Sequence, residues 1–356
     1  MTDSIAAEGI RWFGDIGLAD RATVGGKGAS LGELTRAGIN VPPGFVVTTV
    51  AFETALAAID PGGGIRRRIE QLDPANLDAM TQVADDTREL FLKAALPASL
   101  TDAVRAAHAR LQASEVAVRS SATSEDSADA SFAGLQDTHL CVAGAERVLW
   151  ALRACWASLD SRESVSYRLR LKLPECQVAM GVVIQSMLAS RSSGVMFTRS
   201  PLTGDRSVIA IEASFGLGSA IVSGEVTPDK YVVNKVTGEI VTRTVSPKAL
   251  RHVAAGGSGA GGVMVQPLAE ADQQLPSLSD TEIRELAVLG KRVERHYGTP
   301  QDIEWAIAPE AGGAERLYLL QSRPETVWSR REAQPIARPA ARAHDHVLTT
   351  LYKADR

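Results

Sequence analysis

Gln301-Asp302-Ile303-Glu304-Trp305 and Leu320-Gln321-Ser322-Arg323-Pro324 decide how this chain is read. Each pattern predicts a strand. Side chains alternate across a strand, so Asp302 and Glu304 share a face, and so do Gln321 and Arg323. Ile303 and Trp305 turn the other way, toward a core. Together the two strands offer two carboxylates, an amide and a guanidinium to one spot. Carboxylate and amide oxygens suit a hard cation such as Mg²⁺, and the planar fork of arginine suits phosphate oxygens. The same spacing fits an ordinary hairpin with one wet face, so the rest of the chain must distinguish the two.

Upstream of these strands, Ser279–Tyr297 is predicted to be a helix opened by a capping box of Ser279 and Glu282. Strands are predicted at Met180–Met187, Ser193–Thr198, Ser207–Ala213, Tyr231–Asn234 and Ile240–Val245, and a helix over 145–170. Residues 65–113 read as helical throughout, from apolar residues such as Ile69, Leu72, Val83 and Leu90 at mixed i+3/i+4 spacing. Pro61-Gly62-Gly63-Gly64 is a loop, and the glycine-rich run at 255–262 is low in complexity. Four segments are expected: 1–114 as an N-terminal subdomain, 115–246 as a central subdomain, 247–329 carrying the two polar strands, and 330–356 as a linker or tail.

The bulk composition excludes several classes. At 356 residues the chain can bury a real core. A net charge of −4 argues against a dedicated nucleic-acid binder. No apolar run reaches the roughly 18 residues that a membrane span needs, and Met1-Thr2-Asp3-Ser4 does not begin a signal peptide. Cys141, Cys155 and Cys176 are odd in number and form no CxxC pair, so buried reduced thiols and a cytoplasmic location are expected.

Two further stretches carry candidate chemistry. Gly25-Gly26-Lys27-Gly28 precedes an apolar helical pattern. Glycines admit close approach of an anion, a helix N-terminus favours negative charge, and Lys27 adds a cation; a plain turn with an exposed lysine is the other reading. Arg119 ends a strand and runs into Ser120, Ser121, Thr123 and Ser124, then Ala130–Gly134, Gln136 and Thr138. Such a loop can cover a triphosphate or be a serine-rich surface loop. Gln185 lies on a strand between apolar residues, as a cleft residue or a buried structural amide.

In order along the chain, Gly25-Gly26-Lys27-Gly28-Ala29-Ser30-Leu31-Gly32-Glu33-Leu34, Val41-Pro42-Pro43-Gly44-Phe45, Val118-Arg119-Ser120-Ser121-Ala122-Thr123 and Asp129–Gly134 resemble the nucleotide-binding module of the phosphoenolpyruvate synthase and pyruvate phosphate dikinase family. Gly194–Thr198, Gly216-Leu217-Gly218, Gly224–Asp229 and the two polar strands continue the match, which spans residues 9 to about 328. The flavour is similar to members that phosphorylate rifampin or phenols. The resemblance implies an α+β ATP-grasp fold with a nucleotide cleft between subdomains, and ATP and Mg²⁺ as cofactors. It implies that Lys27 and Arg119 hold phosphates, that Gly134 and Thr138 lie in the phosphate loop, and that Gln185 lies near the adenine or ribose. Asp302, Glu304, Gln321 and Arg323 would form the metal–phosphate site, with Lys27, Arg119 and Arg323 acting on the transferring group.

Leu135 and Ser219 depart from the family pattern, standing where glutamine and glutamate are usual. None of His108, His139, His252, His296, His344 and His346 lies in the family's phosphate-carrying histidine motif. The resemblance therefore implies a separate histidine-bearing swivel-domain partner and a small acceptor such as a phenol, a cresol or pyruvate. A nucleotide-binding regulatory module, or the N-terminal part of a longer synthase, is the alternative.

Overall fold

The computed structural model describes residues 8–123, 137–256, 261–310 and 312–328. Residues up to Glu325 form one compact unit, and Thr326–Arg356 a second, of which only Thr326–Trp328 are described. The expected tail at 330–356, residues 257–260 of the glycine-rich run expected at 255–262, and residues 124–136 of the expected phosphate loop lie outside the described residues.

In chain order the elements are β1 (Ile10–Trp12), α1 (Arg21–Arg36), β2 (Gly44–Val47), α2 (Thr49–Ile59), α3 (Gly64–Glu70), α4 (Leu77–Lys93) and α5 (Ala98–Leu111). There follow β3 (Val116–Ala122), β4 (Thr138–Val142), α6 (Ala145–Ser158), α7 (Arg162–Leu171), β5 (Met180–Ser186), β6 (Ser192–Phe197), β7 (Val208–Phe215) and α8 (Ser219–Val222). The last are β8 (Asp229–Asn234), β9 (Ile240–Thr244), β10 (Leu250–Ala254), β11 (Val263–Pro267), α9 (Asp280–Tyr297), β12 (Gln301–Pro309) and β13 (Glu315–Pro324).

Local chemistry sets the boundaries. The stretch expected to be helical throughout 65–113 is three helices, because Asp73-Pro74 and Leu96-Pro97 interrupt it. The single helix expected over 145–170 breaks at Leu159–Ser161, where the Ser161 hydroxyl accepts from the Ser164 N–H and starts α7. The capping box of Ser279 and Glu282 opens α9, and Gly298, at φ 71°, closes it.

A five-stranded sheet runs in the order β1-β2-β5-β3-β4, and a six-stranded sheet in the order β13-β12-β6-β7-β8-β9. The first sheet thus draws strands from both sides of the expected division at 114/115. The second joins β6–β9 to the C-terminal pair across the expected division at 246/247. One face of the five-stranded sheet packs under α2–α7 through Phe45, Phe52, Phe91, Trp156, Val182 and Ile184. Its other face meets α1 through Val24, Leu31, Val46 and Val183. The six-stranded sheet buries Ile209, Ile211, Tyr231, Ile303 and Trp305 against Ile283, Leu286 and Val293 of α9. Leu34 of α1 belongs to that second core, and Ser30 Oγ donates to the Ser322 carbonyl at 2.7 Å. Helix α1 therefore joins both sheets.

Arg168 organises the helical layer. Its side chain is 0% exposed. Nη2 donates to Asp160 at 2.9 Å and Nε to Glu175 at 3.0 Å, and Nη1 donates to the Leu159 carbonyl. Two buried carboxylates flank one buried guanidinium, the pairing that makes buried charge tolerable.

Candidate active site

Strands β12 and β13 pair antiparallel with Asp302 opposite Arg323 and Glu304 opposite Gln321. The four polar residues of the opening motifs are therefore two cross-strand pairs on adjacent strands. Arg323 Nε lies 3.5 Å from Asp302 Oδ2. Ile303 and Trp305, on the other face, are buried at 1% and 0%. A register shift between Glu304 and Trp305 marks a bulge at the carboxylate.

Arg119 reaches these strands from the other sheet. On β3 it is the one side chain that is not fully buried. Its Nη2 donates to Glu304 Oε2 at 2.8 Å and to Gln321 Oε1 at 2.5 Å, and Nη1 donates to the Leu320 carbonyl at 3.1 Å. These partners lie 185 to 202 residues away in sequence. Arg119 Nε is buried and has no hydrogen-bond partner among the described residues. The guanidinium is thus anchored by two of its nitrogens, with a third donor unused.

Lys27 is placed by a kink. Within α1, Gly25 adopts φ 73° and ψ 178° and splits the helix into two segments. A Cβ at Gly25 would lie 1.8 Å from the Ser121 carbonyl oxygen, so only glycine fits there. Ser121 Oγ donates to the Val24 carbonyl at 2.8 Å and accepts from the Gly28 N–H at 3.0 Å. The kink is thereby fastened to β3 two residues beyond Arg119.

These groups converge on a cleft of about 540 Å³. Lys27, Arg119, Thr138, Gln185 and Glu304 line it. Thr138 is paired with Arg119 across β3 and β4. Gln185 is buried at 3% and donates to the Pro42 carbonyl at 3.3 Å, so both readings of it hold: it lines the cleft and is anchored to the backbone. Gly134 lies outside the described residues. Asp302, Gln321 and Arg323 are not on the cleft lining itself; they sit behind or beside Glu304 on the same strand pair.

Sequence reasoning missed the apolar wall formed by Met187, Leu188, Leu217, Ile221 and Val222. Met187, Leu188 and Leu217 lie between named elements and Ile221 and Val222 in a single helical turn, stretches too short to carry a periodicity. It also missed a polar chain behind that wall. Ser219 lines the cleft, its Oγ lies 2.9 Å from His252 Nδ1, and His252 Nε2 lies 3.3 Å from Glu225 Oε2. The Ser223 hydroxyl and His252 together hold the Glu225 carboxyl below the usual carboxylate range. The departure at Ser219 was the available signal.

Glu304 presents a hard oxygen donor at one end of the cleft, with Asp302 and Gln321 beside it on the same strand pair, a donor chemistry that fits Mg²⁺ when a substrate's phosphate oxygens complete the shell. Among the described residues no three His, Cys, Asp or Glu side chains form a metal cage on their own. Cys141 and Cys155 are buried as expected, whereas Cys176 is exposed, because it lies in the short turn after Pro174 rather than on a core face. No helix among the described residues is long and apolar enough to cross a membrane.

Residues 21–344 match the family model described as pyruvate phosphate dikinase, AMP/ATP-binding domain. A rifampicin phosphotransferase from a Streptomyces species is 43% identical over 314 residues, covering 88% of this chain and 35% of that protein. The phosphoenolpyruvate synthase of Aeropyrum pernix is 39% identical over 358 residues, covering 93% and 44%. A probable phosphoenolpyruvate synthase of Staphylothermus marinus is 35% identical over 370 residues, covering 97% and 44%. The chain spans less than half the length of these relatives. The mixed helix-and-sheet architecture is consistent with an α+β ATP-grasp-like fold, and the chain belongs to the pyruvate phosphate dikinase AMP/ATP-binding domain family.

Proposed function

We propose that the chain binds MgATP in this cleft and is the ATP-binding part of a dikinase-type phosphotransferase. The observation that carries the reading is Arg119, which bridges from one sheet to Glu304 and Gln321 on the other with a buried donor unused. Lys27, Arg119 and Arg323 would contact the phosphates, with Gly134 and Thr138 in the loop beside them and Gln185 near the nucleoside. Glu304, Gln321 and Asp302 would hold Mg²⁺, which when bound would neutralise charge on the phosphate oxygens. Phosphoryl transfer asks a protein chiefly for positioning and electrostatic stabilisation, and three cations around one anionic site supply both.

No histidine lines the cleft among the described residues. A phosphate-accepting histidine would therefore come from outside them, on a swivel domain supplied by a separate partner or, in the alternative reading, by the rest of a longer synthase. That partner would pass the phosphate to a small acceptor, phenol-like, cresol-like or pyruvate, with AMP and phosphate released. The names of the relatives support a phosphotransferase and leave the acceptor open. The test is nucleotide analysis after incubation with MgATP, with and without a histidine-domain partner and a phenolic acceptor. AMP formed only with the partner is the expected result. ADP would overturn the dikinase chemistry, and ATP binding without turnover under every condition would point to a regulatory module.

A further inference from the structure

Among the described residues, Ser219, His252 and Glu225 form a hydrogen-bonded cluster on the cleft wall that the phosphate site does not use. Its position follows from strand register. Glu304 lies opposite Val195, whereas Ile307 and Phe215 both lie opposite Ser192. Three residues along a strand is about 10 Å. Ser219, just beyond Phe215, is thus displaced from the carboxylate end toward the connection between β5 and β6, where Met187 and Leu188 line the cleft. Phosphates at Glu304 would leave the nucleoside at this end.

Hydrogen-bond polarity follows from the acceptor at the far end. A carboxylate only accepts, so in the neutral ring the His252 Nε2 carries the proton toward Glu225 and Nδ1 accepts from the Ser219 hydroxyl. His252 is 5% exposed, and its carbonyl accepts from the Leu217 N–H at 2.8 Å, which fixes β10 against the cleft wall. With its proton committed, Ser219 Oγ presents only lone pairs to the cleft. It calls for a donor from the ligand. The flanking Leu217 and Ile221 suit the flat face of a base, while a hydroxyl acceptor suits a sugar hydroxyl.

We propose that Ser219 accepts a hydrogen bond from a ribose hydroxyl of the bound nucleotide, and that His252, held by Glu225, is the positioning residue that makes it an acceptor. This rests on the reading of the cleft as an ATP site. One neutral hydrogen bond is worth about fivefold in affinity. The test compares dissociation constants for ATP, 2′-deoxy-ATP and 3′-deoxy-ATP in the whole chain. Wild type should bind one of the deoxy analogues about fivefold more weakly than ATP. Ser219→Ala should abolish that discrimination, Ser219→Thr should keep it, and His252→Phe should reduce it. Discrimination unchanged in Ser219→Ala, or equal loss for all three nucleotides, would overturn the assignment. If wild type bound none of the three, the ATP reading itself would fall, an outcome distinct from either.

Discussion

Arg168 and Arg119 both pair with carboxylates, and they do opposite work. Arg168 is 0% exposed and sits between two carboxylates that are themselves nearly buried, inside the helical layer. Arg119 faces a cleft, its carboxylate partner Glu304 is 40% exposed, and one buried donor is unused. The first guanidinium has no work left to do for a ligand. The second is held in place by its partners at the wall of a cleft, beside a carboxylate that is open to solvent. Full enclosure marks a structural ion pair, and a position on a cleft wall leaves the second one open to a ligand.

Breaking the buried side should have the largest effect. Arg168→Met leaves Asp160 and Glu175 uncompensated and should lower unfolding free energy by about 3–5 kcal/mol, read by urea denaturation. A loss below about 1 kcal/mol would mean the pair is not the anchor described. Arg119→Ala should do the reverse. Stability should change by about 1 kcal/mol or less, because its carboxylate partner is partly in water. ATP affinity, measured by calorimetry, should fall about ten- to a hundredfold for the loss of charge-assisted hydrogen bonds. Equal damage to stability and binding would erase the contrast between the two arginines.

The cysteines offer the smallest effect and a pH dependence. Burial pushes the Cys141 thiol up to about 11 from an ordinary value near 9, and pushes fully buried Cys155 higher still. Their thiolates are therefore suppressed in the folded chain. Iodoacetamide at pH 8 should label exposed Cys176 first, by mass spectrometry, and the other two only on unfolding. The unfolded chain loses the Cys141 proton before the folded chain does, so this group's contribution is constant below about pH 9 and stability falls as pH rises toward 11. Rapid labelling of Cys141 at pH 8 would contradict its burial.

Much of this was legible in the sequence because it is local. Period-two alternation placed Ile303 and Trp305 inside and Asp302 and Glu304 outside, and Ser279 with Glu282 announced α9. Prolines at 74 and 97 were equally visible signals, and the helical periodicity around them masked the breaks. What stayed hidden is non-local. Nothing near Arg119 in sequence encodes Glu304 or Gln321, because β3 and the β12–β13 pair belong to different sheets that meet only in the tertiary structure. His252 belongs to no motif, and it matters through Ser219 and Glu225, 33 and 27 residues away.

The fastening of Gly25 to Ser121 has a mechanical consequence. Lys27 and Arg119 are 92 positions apart along the chain, yet the Ser121 hydroxyl ties the backbone on either side of the kink to the strand that carries Arg119. The backbones that carry the two cations are thus set against each other by one hydroxyl, and Glu304 with Gln321 faces them from the neighbouring strand pair. A ligand spanning several negative charges meets a ruler on that wall.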